Sequence, residues 1–388
     1  RAPPAWAVTA SASCRLPASG ALGIPVHPLA AESRRALGLR GALRAASEPW
    51  RRRSVHTPGA SLAEVVRERL GERTLDRLVA PVTEGVYSAS PQDLRVEAHP
   101  ELARAYAQSG SLLRAARVAR ASRSAAGGAV QSLAGGMSVL VSRLVSQLQD
   151  HGAVIRTGVQ GLALERSGTE WTARWAGGSC RAAAVVLAVP PHEIERLLGD
   201  GAAHDAARED AAETRVDTQV ETVALVLTAA RLDRAPRGTG VLVRPGHPRI
   251  AAKALTHASA KWDWLEQAAA PGTHVLRLSY GSRDVLAATA TEDDDEAARR
   301  ALRDSGHILG LTLDPSSVAA SARARWRIPA RAETPSCPPG VVVTGDAYAG
   351  TGLASVVPHA RAAARAVLAA VTETNHTFHT FPTFQSRS

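Results

Sequence analysis

VVVTGDAYAGTGLASVVPHARAAARAVLAAV, residues 341–371, is the stretch whose reading decides the fold. Three valines read as a short buried strand. Gly345 and Asp346 end it, Gly350 and Gly352 follow, and an alanine-rich helix begins beyond them. A strand that leads through glycines into a helix N-terminus aims backbone N–H groups and the positive end of the helix dipole at one point. Glycine there removes the Cβ that would block an electron-rich oxygen or a phosphate. Spacing alone leaves a second reading open, a tight strand-to-helix turn with no ligand. On the first reading the stretch is one wall of a dinucleotide pocket, and a pocket needs another wall. No GxxxxGK[ST] occurs, so the wall is not a P-loop.

The chain has 388 residues, 45% of them hydrophobic, enough for two domains with a substantial core. Its net charge is +10, and apart from Lys253 and Lys261 every basic side chain is an arginine. These arginines spread along the whole chain without interleaved aromatic side chains, and no groove-reading module is present, so nucleic acid is not an expected partner. Anionic small molecules remain compatible. Cys14, Cys180 and Cys337 are far apart and odd in number, which offers neither a disulfide framework nor a CxxC metal site. A reducing cytoplasm fits that usage. No apolar run is long enough to span a bilayer, and RAPPAWAV lacks the order of a signal peptide. The chain therefore reads as cytoplasmic, with peripheral contact to a membrane left open.

Working back from the opening stretch, residues 29–126 read as a helical block. SLAEVVRERLGERTLDRLV places apolar side chains at helical spacing behind Ser61 as N-cap, and SLLRAARVARASRSAAGG closes the block. LAGGMSVLVSRLVSQLQDHG predicts two glycines and then a helix. AVIRTG and VQGLALE are expected as strands, followed by a hairpin around Gly177 and Gly178 and a buried strand from Ala184 to Val189. VETVALVLTAA, GTGVLVRPG, RIAAKALTHASAKW and THVLRLSYG predict an antiparallel sheet. The acidic start of TEDDDEAARRALRDSGHIL, beside it, marks a helix N-terminus rather than a metal site. ETNHTFHTFPTFQSRS, which holds all three phenylalanines, reads as a disordered tail. No GxSxG elbow, HExxH helix or EF-hand loop is present, so hydrolase and metalloenzyme chemistry have no motif, and no metal is expected.

Five blocks in order, LVAPVTEGVYSASPQDL (78–94), LAGGMSVLVSRL (133–144), VVLAVPP (185–191), THASAKWDWL (256–265) and TGDAYAGTGLASVV (344–357), resemble the oxygen-dependent protoporphyrinogen and coproporphyrinogen oxidases. These are flavoenzymes of the monoamine-oxidase-like superfamily, and the likeness is closest to the actinobacterial branch. It covers roughly residues 15–372. The resemblance implies FAD as cofactor, a porphyrinogen as substrate and O2 as acceptor. The six-electron oxidation to the porphyrin, with hydrogen peroxide as by-product, belongs to haem biosynthesis. It further implies that Val159 meets the adenine through its main chain. Asp346, Thr351, Gly352 and Leu353 lie at the flavin, with Thr351 to Leu353 beside the isoalloxazine, and Trp326 lies near it. No catalytic acid or base is singled out, because orientation and electrostatics are the protein's main contribution. Arginines suit the substrate's propionates.

The implied architecture is α/β with an α+β substrate domain and a helical block: an FAD-binding fold lacking its first βαβ unit. Residues 1–28 and 199–337 form the substrate-binding sheet domain, 29–126 the helical domain, 127–198 and 338–372 the remnant FAD domain, and 373–388 the tail. Members of the family hold FAD with an N-terminal GxGxxG turn, and no GxGxxG occurs in these residues; the chain reads as N-terminally incomplete. A family helix is also missing between Pro329 and Pro335. Two further readings therefore stand beside the oxidase: a non-catalytic remnant of the family, and another amine-oxidase-like flavoprotein. The oligomeric state is not legible.

Overall fold

The computed structural model describes residues 5–10, 12–17, 20–51, 59–87, 89–125, 132–199, 217–283, 285–350 and 352–378. The chain divides into two compact units. Residues 1–144 and 218–327 make the first, and 145–217 and 328–388 the second.

The first unit holds a helical block and a seven-stranded sheet. Ser61 caps the helix Leu62–Leu70 with a full capping box, its Oγ accepting from Glu64 N and Glu64 accepting from Ser61 N. Helices Ala31–Ala46, Ala80–Tyr87, Pro100–Ser109 and Leu112–Ala125 surround a core that includes Leu37, Leu62, Leu78 and Leu112. The sheet runs, from one edge, Val318–Ile328, Thr218–Thr228, Thr273–Tyr280, Ala254–His257, Gly240–Val243, Ala5–Val8, Ser13–Arg15. Four of its pairings are antiparallel, but Ala5–Val8 lies parallel to Gly240–Val243, so the sheet is mixed rather than antiparallel throughout. Helix Asp294–Leu309, capped by Asp293 as its acidic start predicts, buries Ala297, Ala301 and Ile308 in the core shared with Leu225, Leu255 and Leu278.

RIAAKALTHASAKW is only partly a strand. Ala254–His257 pairs, and the chain then turns into the short helix Ala258–Lys261. Val318–Ile328, an edge strand, has no counterpart in the sequence reading; its Ala/Arg alternation carries almost no apolar face.

The second unit centres on two parallel strands, Val185–Leu187 beside Val341–Val343. A three-stranded meander, Ala163–Ser167, Glu170–Trp175 and Gly178–Ala182, contains the expected hairpin. Trp171 closes its core, donating Nε1–H to Pro339 O at 3.1 Å. Two expectations fail here. AVIRTG is irregular and pairs with no strand among the described residues, and Val154 is exposed. The strand expected to be buried from Ala184 to Val189 is shorter and two-faced, with Leu187 buried and Val186 45% exposed. Helix Leu353–Phe378 also runs past Thr372, where the tail was expected to begin, since no glycine or proline interrupts residues 359–378. Residues 379–388 of that expected tail lie outside the described residues.

Candidate functional site

The site predicted at residues 345–353 takes its shape from the end of the Val341–Val343 strand. Thr344 N donates to Leu187 O at 2.9 Å, extending the parallel ladder by one step. The buried Thr344 hydroxyl lies 2.9 Å from His359 Nδ1, which ties the strand end to the long helix. Gly345 then turns at φ 127° into Asp346–Ala349, whose last turn closes with Gly350 N donating to Asp346 O. Gly350 (φ 90°) and Gly352 (φ 97°) carry the chain to Leu353, the first residue of the 26-residue helix.

Two of these glycines leave space. A Cβ built on Gly345 or on Gly352 meets no atom within 4 Å. Gly352 O accepts from Ser355 N and Val356 N, so the first turn of the helix is formed and its N-terminus faces open ground. That combination can receive an electron-rich edge of a flat group and stabilise negative charge on it. Leu353 is 50% exposed at the same place and offers apolar surface for a ring to lie against, while Asp346 is exposed one turn earlier. These residues fit the ring end of a flavin. Thr351, placed at the ring by resemblance, lies outside the described residues.

Val159 belongs to the same unit, in an irregular segment before the meander, and is 39% exposed. Trp326 is 59% exposed on the edge strand of the first unit. Asp346, Gly352 and Leu353 thus follow one another in a single strand-to-helix connection, Val159 belongs to the same unit, and Trp326 belongs to the first.

Within the first unit, other quoted blocks meet in ways the sequence did not disclose. The Gly135-Gly136 turn lies against Trp264, whose ring is 3.7 Å from where a Gly136 Cβ would stand. The Trp264 indole N–H is buried with no partner, an unspent donor beside a glycine turn. Gly85, in the EGVYS helix, packs on the strand Gly240–Val243 so closely that a Cβ would come within 2.6 Å of Leu242 Cδ2. Glu84, beside it, acts electrostatically on Lys253. Burial pushes that ammonium down to about 8 against the opposing pull of Glu84. Glu84, Gly85, Gly135, Gly136 and Trp264 carry the signal of the blocks, whereas Leu242 and Lys253 lie outside them; their meeting is long-range. Among the described residues no group of His, Cys, Asp or Glu side chains could hold a metal ion, and no helix is long and apolar enough to cross a membrane.

A family model described as flavin containing amine oxidoreductase matches residues 18–368. The coproporphyrinogen III oxidase of Mycobacterium leprae (strain TN) is 32% identical over 333 residues, which is 81% of this chain and 69% of that protein. The coproporphyrinogen III oxidase of Mycobacterium bovis is 33% identical over 264 residues, 66% of this chain but 53% of its own length; the chain spans about half of that relative. Among solved structures, a protein from Exiguobacterium sp. 255-15 assigned as a protoporphyrinogen oxidase superposes with a TM-score of 0.75 at 22% identity, over 96% of this chain and 81% of its own. A putrescine oxidase variant superposes at 0.57 and 12% identity, over 96% and 82%.

Proposed function

The chain belongs to the flavin containing amine oxidoreductase family, and on that premise we propose that it serves the flavin-dependent oxidation of a porphyrinogen to its porphyrin in haem biosynthesis. FAD is the cofactor, and the chain is an oxidoreductase by family. Coproporphyrinogen III is the first substrate to test, because the relatives from M. leprae and M. bovis carry that name, and protoporphyrinogen IX is the second. O2 is the proposed acceptor and the cytoplasm the proposed compartment; contact with a membrane surface is compatible.

The observation that carries this reading is the open turn, in which Gly345 and Gly352 leave room beside the N-terminus of the Leu353–Phe378 helix. A bound flavin supplies a two-electron acceptor there. Gly352 and Leu353 orient the ring, with Thr351 immediately before them in sequence, and the helix N-terminus favours negative charge at the ring edge. Asp346 and the Val159 main chain contribute polar contacts, and Trp326 is the aromatic side chain assigned to the flavin's surroundings. Gly136 and Trp264 offer a second glycine turn with a free indole donor. Lys253 is a candidate cation for a carboxylate of the substrate.

A second reading, a family member that binds partners without turnover, is separated from the first by the same assay. Purified protein is examined for flavin absorbance after incubation with FAD. It is then mixed in air with coproporphyrinogen III or protoporphyrinogen IX while porphyrin fluorescence and peroxide are followed. Bound flavin with a rise on either substrate supports oxidation, and the faster substrate identifies the preference. Absence of both bound flavin and fluorescence, where a full-length relative gives both, leaves the second reading.

A further inference from the structure

A cavity of about 260 Å³ lies in the first unit between the segment His247–Ala251 and one face of the helix Asp294–Leu309. Its lining is unusual in charge: Arg249, Arg300 and Arg303, with His247 and His307, surround a single carboxylate, Asp304. Arg303 and His307 are one turn apart, as are Arg300 and Asp304, so the helix turns one row of titratable side chains into the cavity.

Asp304 acts as the bracket between the two walls. Its Oδ2 accepts from Ala252 N at 3.0 Å and from Ala251 N at 3.3 Å, and the side chain is buried. The carboxylate thereby braces the loop backbone and is the one acidic group lining the cavity. Arg300 is also spoken for, since it pairs with Glu292. Arg249 and Arg303 have no acidic partner among the described residues. This differs from Arg67, Arg69, Arg174, Arg196, Arg244 and Arg323, each of which faces a carboxylate. Two uncompensated guanidinium groups share the cavity with two imidazoles. The crowding is felt at His247: burial, then the charges of Arg249 and His307, hold its imidazole below the ordinary value.

Five basic side chains gathered around one concavity with a single carboxylate among them are what a multiply charged anion would relieve. Guanidinium forks are suited to tetrahedral oxyanions, and a nearby imidazole can add a donor. We infer that this cavity is a binding site for a small molecule bearing a doubly charged phosphoryl group, formed by Arg249 and Arg303 with His247 and His307. It shares no residue with the flavin reading, because every lining residue belongs to the helix Asp294–Leu309 or to the segment His247–Ala251.

The test uses the full 388-residue chain and inorganic phosphate as probe. Thermal unfolding is followed against phosphate concentration, with sodium chloride and succinate run at matched ionic strength, and the His247 imidazole is titrated by NMR with and without phosphate. Phosphate is expected to raise the midpoint more than either control and to raise the His247 pKa. Arg303→Glu should weaken the apparent affinity about tenfold or more. Arg249→Ala, on the opposite wall, should weaken it if the helix variant does not fold. Arg299→Glu, which makes the same charge change on the same helix outside the cavity, should leave affinity within about twofold. Equal effects from chloride, succinate and phosphate, or equal losses in Arg299→Glu and Arg303→Glu, would overturn the site.

Discussion

Glu48 and Arg69 form an ion pair sealed from solvent, with Arg69 Nη2 2.8 Å from Glu48 Oε1 and side-chain exposures of 3% and 0%. The same carboxylate accepts from Ser111 Oγ at 2.6 Å and from Leu112 N at 2.8 Å, so it also caps the helix Leu112–Ala125. Arg69 donates onward to Gly110 O at 3.0 Å. One pair thereby joins the 3-10 turn at Glu48, the helix Leu62–Leu70 and the start of the last helix of the block. Removing either partner leaves the other charged and buried, at a cost of roughly 3–5 kcal/mol. Urea unfolding of Glu48→Ala and Arg69→Ala should show that loss. Arg174→Ala, which breaks an exposed pair with Glu165, should lose under about 1 kcal/mol. Equal losses in all three variants would contradict the assignment.

His257 governs a second expected outcome, a loss of stability in mild acid. His274 Nε2 lies 2.9 Å from Asp233 Oδ1, and His274 Nδ1 lies 3.1 Å from His257 Nε2. If His274 gives its Nε2 proton to Asp233, its Nδ1 must accept from His257, which leaves His257 Nδ1 buried without a partner. Burial first, and then His274, push the His257 imidazole down to about 4. Its folded value is thus below the unfolded one of about 6.5, so the unfolded chain binds the proton first as pH falls. Stability is complete above about pH 6.5 and declines toward pH 4, by up to about 3 kcal/mol. Asp304 works in the opposite sense, since burial holds its carboxyl above the ordinary value and its contribution is lost as pH rises. Comparing the pH profile of urea midpoints for the protein and for His257→Leu isolates the histidine. The variant should have the flatter profile between pH 7 and pH 4, and parallel profiles would rule the account out.

Local signals are legible in the sequence, and long-range ones are not. Ser61 with Glu64, and Asp293 with Glu296, announce helix starts because a capping box closes within three residues. Gly345 and Gly352 announce an open turn because only glycine is at ease there. AVIRTG reads as a strand because its residues suit one, but a strand exists only with a partner, and it pairs with none among the described residues. The edge strand Val318–Ile328 shows the converse. Its alternating alanines and arginines give no apolar signal, and Arg323 holds it by reaching Glu221, 102 residues away. The approach of Trp264 to the Gly135-Gly136 turn is invisible in sequence for the same reason.

Arg323 supplies the third prediction. Its Nε and Nη2 donate to Glu221 Oε2 at 3.0 and 2.6 Å, and its Nη1 donates to Glu292 O at 2.7 Å. Burial pushes the Glu221 carboxyl up, but hydrogen bonds from Thr289 and Arg323 and the charges of Arg323 and Arg325 outweigh it and hold the group below its ordinary value. Lysine keeps the charge and loses the fork, so Arg323→Lys should cost roughly 1–3 kcal/mol. It should also loosen the strand that carries Trp326, read as faster amide exchange over residues 318–328 than in the sheet's interior. Unchanged exchange there would mean that strand pairing alone holds the edge.

Two glycines separate folding from binding in the last prediction. Gly23 turns at φ 80°, and a Cβ on it would lie 2.3 Å from Leu78 O and 2.8 Å from Val79 Cα, both backbone atoms that cannot rotate away. Gly23→Ala should therefore cost about 3 kcal/mol or prevent folding. Gly352 has a comparable constraint, φ 97°, but open space where the Cβ would go. Gly352→Ala should cost only about 1 kcal/mol, from backbone strain. On the proposed function its methyl group enters the space of the flavin ring, so FAD affinity should fall about tenfold or more while the melting midpoint barely moves. Thermal unfolding without cofactor and flavin fluorescence titration read the two effects separately. A Gly352→Ala variant that binds FAD as the parent does would place the ring elsewhere, and one that unfolds as readily as Gly23→Ala would make the turn structural.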